Sequence, residues 1–292
     1  MSKTFQTLML REWLQHGRGW LLVALVPPAL ALLMLLLPFG TVQLDEPLDP
    51  TELALMSLTI TAYLVLMISW SIAALQLPGL ARRDQQDRSI EFWLSLPASH
   101  VQSLGAQLSM HLLLVPMGAL LIGALCGMVL APLVTAKAFG IAALAHVSWG
   151  GMVLPLAALG LLRGLLGVAL AVLWLAPILL AFMVASAWLK RWGAPALVVG
   201  TALVALLLRK FYGWTWVGEL LATQFSKARE ALLGSEMTVS AGGPRESLSA
   251  MGQWLVQDTG RALADALSLN FIGGLVLAAL LFAALVARRR QG

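Results

Sequence analysis

Charged residues are scarce in this chain, and cysteine is almost absent. Lysine, arginine, aspartate and glutamate make up only 11% of its 292 residues, whereas a typical soluble domain has about 25%. Hydrophobic residues make up 60%, and the mean hydropathy is +0.86. The single cysteine, Cys126, lies in an apolar run and has no second cysteine with which to form an intrachain disulfide. This composition excludes an ordinary soluble domain and predicts an integral membrane protein.

Recognisable catalytic and metal-binding patterns are also missing from the sequence. The four histidines, His16, His100, His111 and His146, form no H-x-x-x-H pair, and no G-x-x-x-x-G-K-[ST] phosphate loop occurs. Asp84 and Asp87 resemble half of a prenyltransferase aspartate motif, but no second motif follows. We therefore expect no catalytic residue, no resident cofactor and no metal site. The apolar runs hold almost no ionisable residue, which disfavours an ion-coupled carrier.

Long apolar runs predict the topology. About 20 apolar residues suffice to cross a bilayer, and the predicted spans are 20–39, 53–76, 108–131, 167–189, 194–208 and 269–287. Basic residues precede the first run and acidic residues follow it, so the positive-inside rule places the N-terminus in the cytoplasm. We expect one all-α domain, 1–292, with six spans and both termini cytoplasmic. The basic residues that flank the apolar runs account for the net charge of +5, so this charge does not call for nucleic-acid binding.

A seventh apolar run, 138–162, leaves the number of spans open. Several glycines and Pro155 interrupt it, and seven crossings would leave the basic residues 288–290 outside. We expect this run to lie at the outer interface. In the rival interpretation, 138–162 crosses the membrane and 194–208 is re-entrant. The distribution of basic residues barely distinguishes the two interpretations.

Amphipathic patterns lie outside the spans. Phe5, Leu8 and Trp13 follow a helical spacing, so residues 1–19 are predicted to form a cytoplasmic interfacial helix. The Pro27-Pro28 pair predicts a kink or break in the first span. Region 211–267 is predicted to hold two amphipathic helices at the outer surface.

A charged hairpin, 78–107, separates the second and third spans. Ile90, Trp93 and Leu94 fall on one helical face, and Pro97 ends that helix. Ser99 and Gln102 then match an S-x-x-Q capping box that opens the next helix. The pattern predicts a short amphipathic helix at the membrane surface that is suited to docking with a partner protein.

Residues 87–99, DRSIEFWLSLPAS, resemble the coupling-helix segment of bacterial ATP-binding cassette permeases of the type-2 exporter class. A weaker match, 173–177 with 185–188, favours 167–189 as the fourth span. The resemblance implies a permease homodimer in the bacterial inner membrane, in contact with lipid, and a separate ATPase subunit that binds ATP. The residues it implies in coupling are Arg82, Arg83, Asp87, Arg88, Ile90, Glu91, Phe92, Trp93, Leu94 and Leu96. The alternatives are an ATPase-independent membrane scaffold or assembly factor, and a lipid-modifying enzyme with an unrecognised site.

Overall fold

The computed structural model describes residues 3–37, 48–86, 99–235 and 244–290, and within these ranges it contains helices and no strand. The α-helices are α1 (Lys3–Leu36), α2 (Pro50–Gln86), α3 (His100–Leu108), α4 (Val115–Phe139), α5 (Leu154–Leu189), α6 (Gly193–Tyr212), α7 (Trp216–Leu233), α8 (Pro244–Asp265) and α9 (Leu269–Arg290). A π-helical turn, Ser109–Leu114, joins α3 to α4. The all-α class is therefore confirmed for the described part of the chain.

Within the described ranges, five helical runs are long and apolar enough to cross a membrane, which makes this a multi-pass membrane protein. They are Lys3–Leu36, Pro50–Leu80, His100–Phe139, Trp149–Tyr212 and Leu269–Arg290. The fourth run bends at Lys190, whose φ of 53° ends α5. At the corner, a Cβ on Gly193 would collide with the carbonyl oxygen of Ala185. Glycine at this position therefore lets α6 start directly against the end of α5.

Residues 138–162 do not form one continuous helix. Helix α4 ends at Phe139 and Gly140 takes a φ of 84°; a short 3₁₀-helix (Ile141–His146) and a π-helical turn (Trp149–Val153) then lead to α5. Val147 and Val153 in this connection are buried against α2 and α4. The rest of the run is the first part of α5, so the structure provides no helix for the rival interpretation in which 138–162 crosses.

Helix α1 differs from the sequence prediction. Residues 3–19 are not a separate interfacial helix, because α1 continues without interruption from Lys3 to Leu36. The helix also runs through Pro27 and Pro28, so the predicted break is absent. Each proline removes one backbone hydrogen bond, a loss that a membrane helix tolerates when neighbouring groups compensate.

Helices α2 and α4 form the most extensive helix pair in the described ranges, and two glycines explain their close approach. A Cβ on Gly123 would lie 2.9 Å from the Ala62 oxygen, and one on Gly127 would lie 2.8 Å from the Leu58 oxygen. Gly123 and Gly127 have the G-x-x-x-G spacing with which membrane helices bring their backbones together.

Contacts between helix termini define two ends of the bundle. At the first end, Glu12 of α1 meets His111, and Arg289 of α9 donates a hydrogen bond to Gln107 of α3 at 3.2 Å. Leu77 and Leu80, near the end of α2, pack in the same cluster as Leu285. At the second end, Lys137 reaches the carbonyl oxygen of Leu37 at 2.9 Å, and Ser148 binds Thr51 at 3.3 Å. The first and last described residues therefore lie at the same end, together with both helix ends that flank 87–98.

Candidate functional site

The predicted coupling segment falls largely outside the described residues. Residues 87–98 are not described, and Arg82 and Arg83 are described only as backbone positions in α2. The flanking capping box is confirmed: Gln102 N donates to Ser99 Oγ at 3.2 Å, and Ser99 N donates to Gln102 Oε1 at 3.3 Å. Helix α3 therefore starts where the sequence predicted.

Helix α2 is longer than a bilayer is thick. Its 37 residues extend about 55 Å at about 1.5 Å per residue, whereas the hydrocarbon core is about 30 Å thick. Its apolar part ends at Leu80. The last turns, which carry Arg82 and Arg83, therefore extend past the apolar zone at the first end of the bundle.

A buried ion pair joins three helices at the second end. Arg163 of α5 is 4% exposed and Asp258 of α8 is 3% exposed. Arg163 Nη2 lies 2.6 Å and Nε 2.8 Å from Asp258 Oδ2. Arg163 Nη1 also donates to the Ala231 carbonyl near the end of α7 at 2.6 Å, an acceptor of the kind that helix ends leave unpaired. One turn further along α5, a Cβ on Gly167 would collide with the same carbonyl oxygen.

Asp258 is held in its charged form. Its Oδ1 accepts hydrogen bonds from Ser235 N at 2.9 Å and from Ser235 Oγ at 2.7 Å. Burial raises the pKa of Asp258, but the Ser235 bonds and the Arg163 guanidinium together hold that pKa below its ordinary value. The pair therefore carries two opposite charges with no net charge. This pairing is not evident from local sequence patterns, because Arg163 and Asp258 are far apart in the chain.

The ion pair forms the polar corner of a cavity of about 610 Å³ at the second end. The cavity lies between α2, α5, α7 and α8, and its size is within the usual range for small-molecule sites. Apolar side chains make up most of its wall, among them Leu55, Met56, Ile60, Leu156, Met251 and Trp254. Glu52 and Tyr63 add further polar groups. Such a space can hold the apolar part of a ligand, with hydrogen-bonding groups at one corner.

A second polar cluster lies at the first end of the bundle. Glu12 is fully buried; its Oε1 contacts Arg11, and its Oε2 lies 3.6 Å from His111 Nε2 and 3.9 Å from His16 Nδ1. The rings of His16 and His111 meet edge to face, with centroids 5.3 Å apart. The fold thus places a carboxylate beside two of the four histidines, although these histidines form no H-x-x-x-H pair in the sequence. The E-x-x-x-H spacing of Glu12 and His16 is a local signal of one helical face, but His111 joins them only through the tertiary fold.

No family model matches the chain, and no curated protein or solved structure was found to be similar to it. Its function therefore has to be inferred from its own residues.

Proposed function

We propose that this chain is the membrane-spanning permease subunit of a bacterial ATP-binding cassette exporter. The observation that carries the proposal is the sequence of residues 87–99, which resembles a coupling helix and is placed between two long apolar helices. The chain has no phosphate loop of its own. ATP would therefore be bound and hydrolysed by a separate ATPase subunit.

The proposed topology has six crossings: α1, α2, α3 with α4, α5, α6 and α9. Two observations support it. The bend at Lys190 divides the 64-residue run into two helices, and the first and last described residues lie at one end, which requires an even number of crossings. The basic residues 288–290 are at that end, so the positive-inside rule makes it the cytoplasmic face of the inner membrane. Helices α7 and α8 are then external.

In the proposed exporter, two permeases and two ATPases assemble, and the 87–97 helix contacts the ATPase. Trp93 and Ile90 supply the buried contacts, since aromatic side chains often dominate interfaces. Arg82, Arg83 and Arg88 orient the partner through charge. Closure of the ATPases pushes on the hairpin, and the close packing of α2 on α4 at Gly127 transmits that push along both helices. The cavity at the outer end would receive an apolar part of the substrate.

Truncation of Trp93 tests the coupling role. Loss of a buried interface tryptophan typically costs about 2–4 kcal/mol, which is about thirtyfold or more in affinity. We expect Trp93→Ala to release a candidate partner ATPase, measured by co-purification, while membrane insertion is unchanged. Arg83→Ala should cost only about 0–1 kcal/mol, and its effect should shrink at high salt.

Trp192→Ala is the matched control. Trp192 is 64% exposed and lies on the same proposed face, beside the bend between α5 and α6. It should leave the association unchanged. Full association and ATPase activity in Trp93→Ala would show that 87–97 is not the coupling element. Wild-type protein that binds no ATPase would favour the scaffold alternative.

A further inference from the structure

We propose that Glu12, His16 and His111 form a binding site for a divalent transition-metal ion, for which zinc is the best match. One carboxylate and two imidazoles are a donor set that suits zinc, and the three groups are contributed by α1 and by the π-helical turn. Nothing in the proposed export function requires such a site, so it stands on its own geometry.

The distances fit an ion of this kind after small adjustments. Bonds of about 2.0–2.1 Å in a tetrahedral site place the ligand atoms about 3.3–3.5 Å apart. Glu12 Oε2 lies 3.6 Å from His111 and 3.9 Å from His16, and one donor atom from each of the three residues lies within 4.8 Å of the others. Shifts of a few tenths of an ångström at the donor atoms bring the two Glu12 pairs into this range, and the two histidine donors, which lie within 4.8 Å of each other, have to approach further by rotation of their side chains. Three protein ligands leave a fourth position for water.

Unpaired polar atoms point to a missing ligand at this place. His111 is 0% exposed, and neither of its ring nitrogens has a hydrogen-bond partner within the described part of the chain. Glu12 Oε2 is buried and lacks a hydrogen bond as well. Burying such groups without partners is unfavourable, and a metal ion would bind one nitrogen of His111 and this oxygen together.

The surroundings of the three groups hold them in position. Arg11 contacts the other carboxylate oxygen of Glu12, which fixes the carboxylate as outer-shell partners of metal ligands do. His111 lies in the turn Ser109–Leu114, and π-helical turns occur frequently at functional sites. An ion here would fasten α1 to the junction of α3 and α4.

The test uses full-length protein purified in detergent through a tag without histidine and stripped with a chelator. Titration with Zn²⁺ should show one equivalent bound per chain, and Co²⁺ should give a tetrahedral absorption band. Substitution of a residue that only contacts a metal ligand lowers the metal affinity by about 10–100-fold. Glu12→Gln and His111→Ala remove ligands themselves, so each should lower the affinity for Zn²⁺ by about a hundredfold or more. Zn²⁺ should raise the unfolding temperature of the wild type but not that of Glu12→Gln or His111→Ala.

His146→Ala is the matched control, since His146 is exposed in the turn that follows α4 at the other end. It should bind Zn²⁺ like the wild type. If the stripped wild type binds no more Zn²⁺ than Glu12→Gln does, the cluster is only a buried carboxylate between basic groups and the proposal is wrong. If His111→Ala does not fold, the near-isosteric Glu12→Gln and the Co²⁺ spectrum of the wild type still decide.

Discussion

Removal of one member of the Arg163–Asp258 pair should strongly destabilise the protein. Asp258→Asn keeps the side-chain shape but leaves the guanidinium of Arg163, which is 4% exposed, without its counter-charge. Breaking a buried ion pair from one side costs about 3–5 kcal/mol. Arg163→Met should cost at least as much, because the Ala231 carbonyl also loses its donor.

The expected shift is large enough to measure. For chains of 150–250 residues, 1 kcal/mol moves Tm by about 2–4 °C, so Asp258→Asn should lower Tm by roughly 6–20 °C. The double variant Arg163→Met/Asp258→Asn removes both charges and should cost less than the two single changes added together. Lys227 provides the control: its ion pairs with Glu230 and Asp265 are 2.9 and 3.0 Å long, but its side chain is 32% exposed. Lys227→Ala should therefore cost only about 0–1 kcal/mol.

The assay is unfolding of detergent-purified protein, followed by tryptophan fluorescence and repeated at several pH values. Because the pKa of Asp258 is lower in the folded state, its stabilising effect is fully present above the ordinary carboxyl pKa, about 4. That effect is lost as the pH falls through the folded-state pKa. The gap between wild type and Asp258→Asn should therefore be constant near neutral pH and close below about pH 4. Equal Tm values for Asp258→Asn and Lys227→Ala at neutral pH would refute a buried pair at this position.

Two further predictions concern the helix packing and the topology. Gly127→Ala should destabilise the protein by about 1–3 kcal/mol, because its Cβ would lie 2.8 Å from a backbone oxygen of α2. Gly118→Ala is the control: a Cβ there would meet no atom within 4 Å, so this variant should be neutral or gain up to about 1 kcal/mol of stability. Equal Tm shifts for the two variants would contradict the close approach of α2 and α4. After Cys126→Ala, an impermeant maleimide should label Gly218→Cys in intact cells and Arg191→Cys only after lysis, and the reverse pattern would contradict the six-crossing topology. Both positions are exposed in the structure.

The features that the sequence predicted well are local ones. The apolar runs are set by composition over about 20 residues, and the structure places long helices over them. The capping box at Ser99 and Gln102 depends on residues three apart, and it forms as expected. The glycines in 138–162 marked a stretch that would not form one helix, and Gly140 takes the positive φ that ends α4.

The features that the sequence did not reveal depend on contacts between distant segments. Nothing local pairs Arg163 with Asp258, or His111 with Glu12. The continuity of α1 is also not evident from the sequence, because the polar residues before Trp20 favour a separate interfacial helix. In the structure, α1 keeps its helical path through them, and Glu12 then faces the junction of α3 and α4.

The burial of Glu12 between helices shows that a chain with few charged residues can still bury some of them. Counting charged residues inside apolar runs gives almost none, yet Glu12 and Arg163 are both nearly inaccessible to solvent. Glu12 lies in the polar first part of α1, whereas Arg163 lies inside the fourth apolar run; each is buried against neighbouring helices, so each needs a specific partner. Each partner lies on a different helix: one contact fixes α1 to the junction before α4, and the other fixes α5 to α8. In the proposed exporter, a push delivered through the helix ends that flank 87–98 would act at the same end of the bundle as the first contact. The α2–α4 pair would carry it to the other end, where the second contact and the cavity lie.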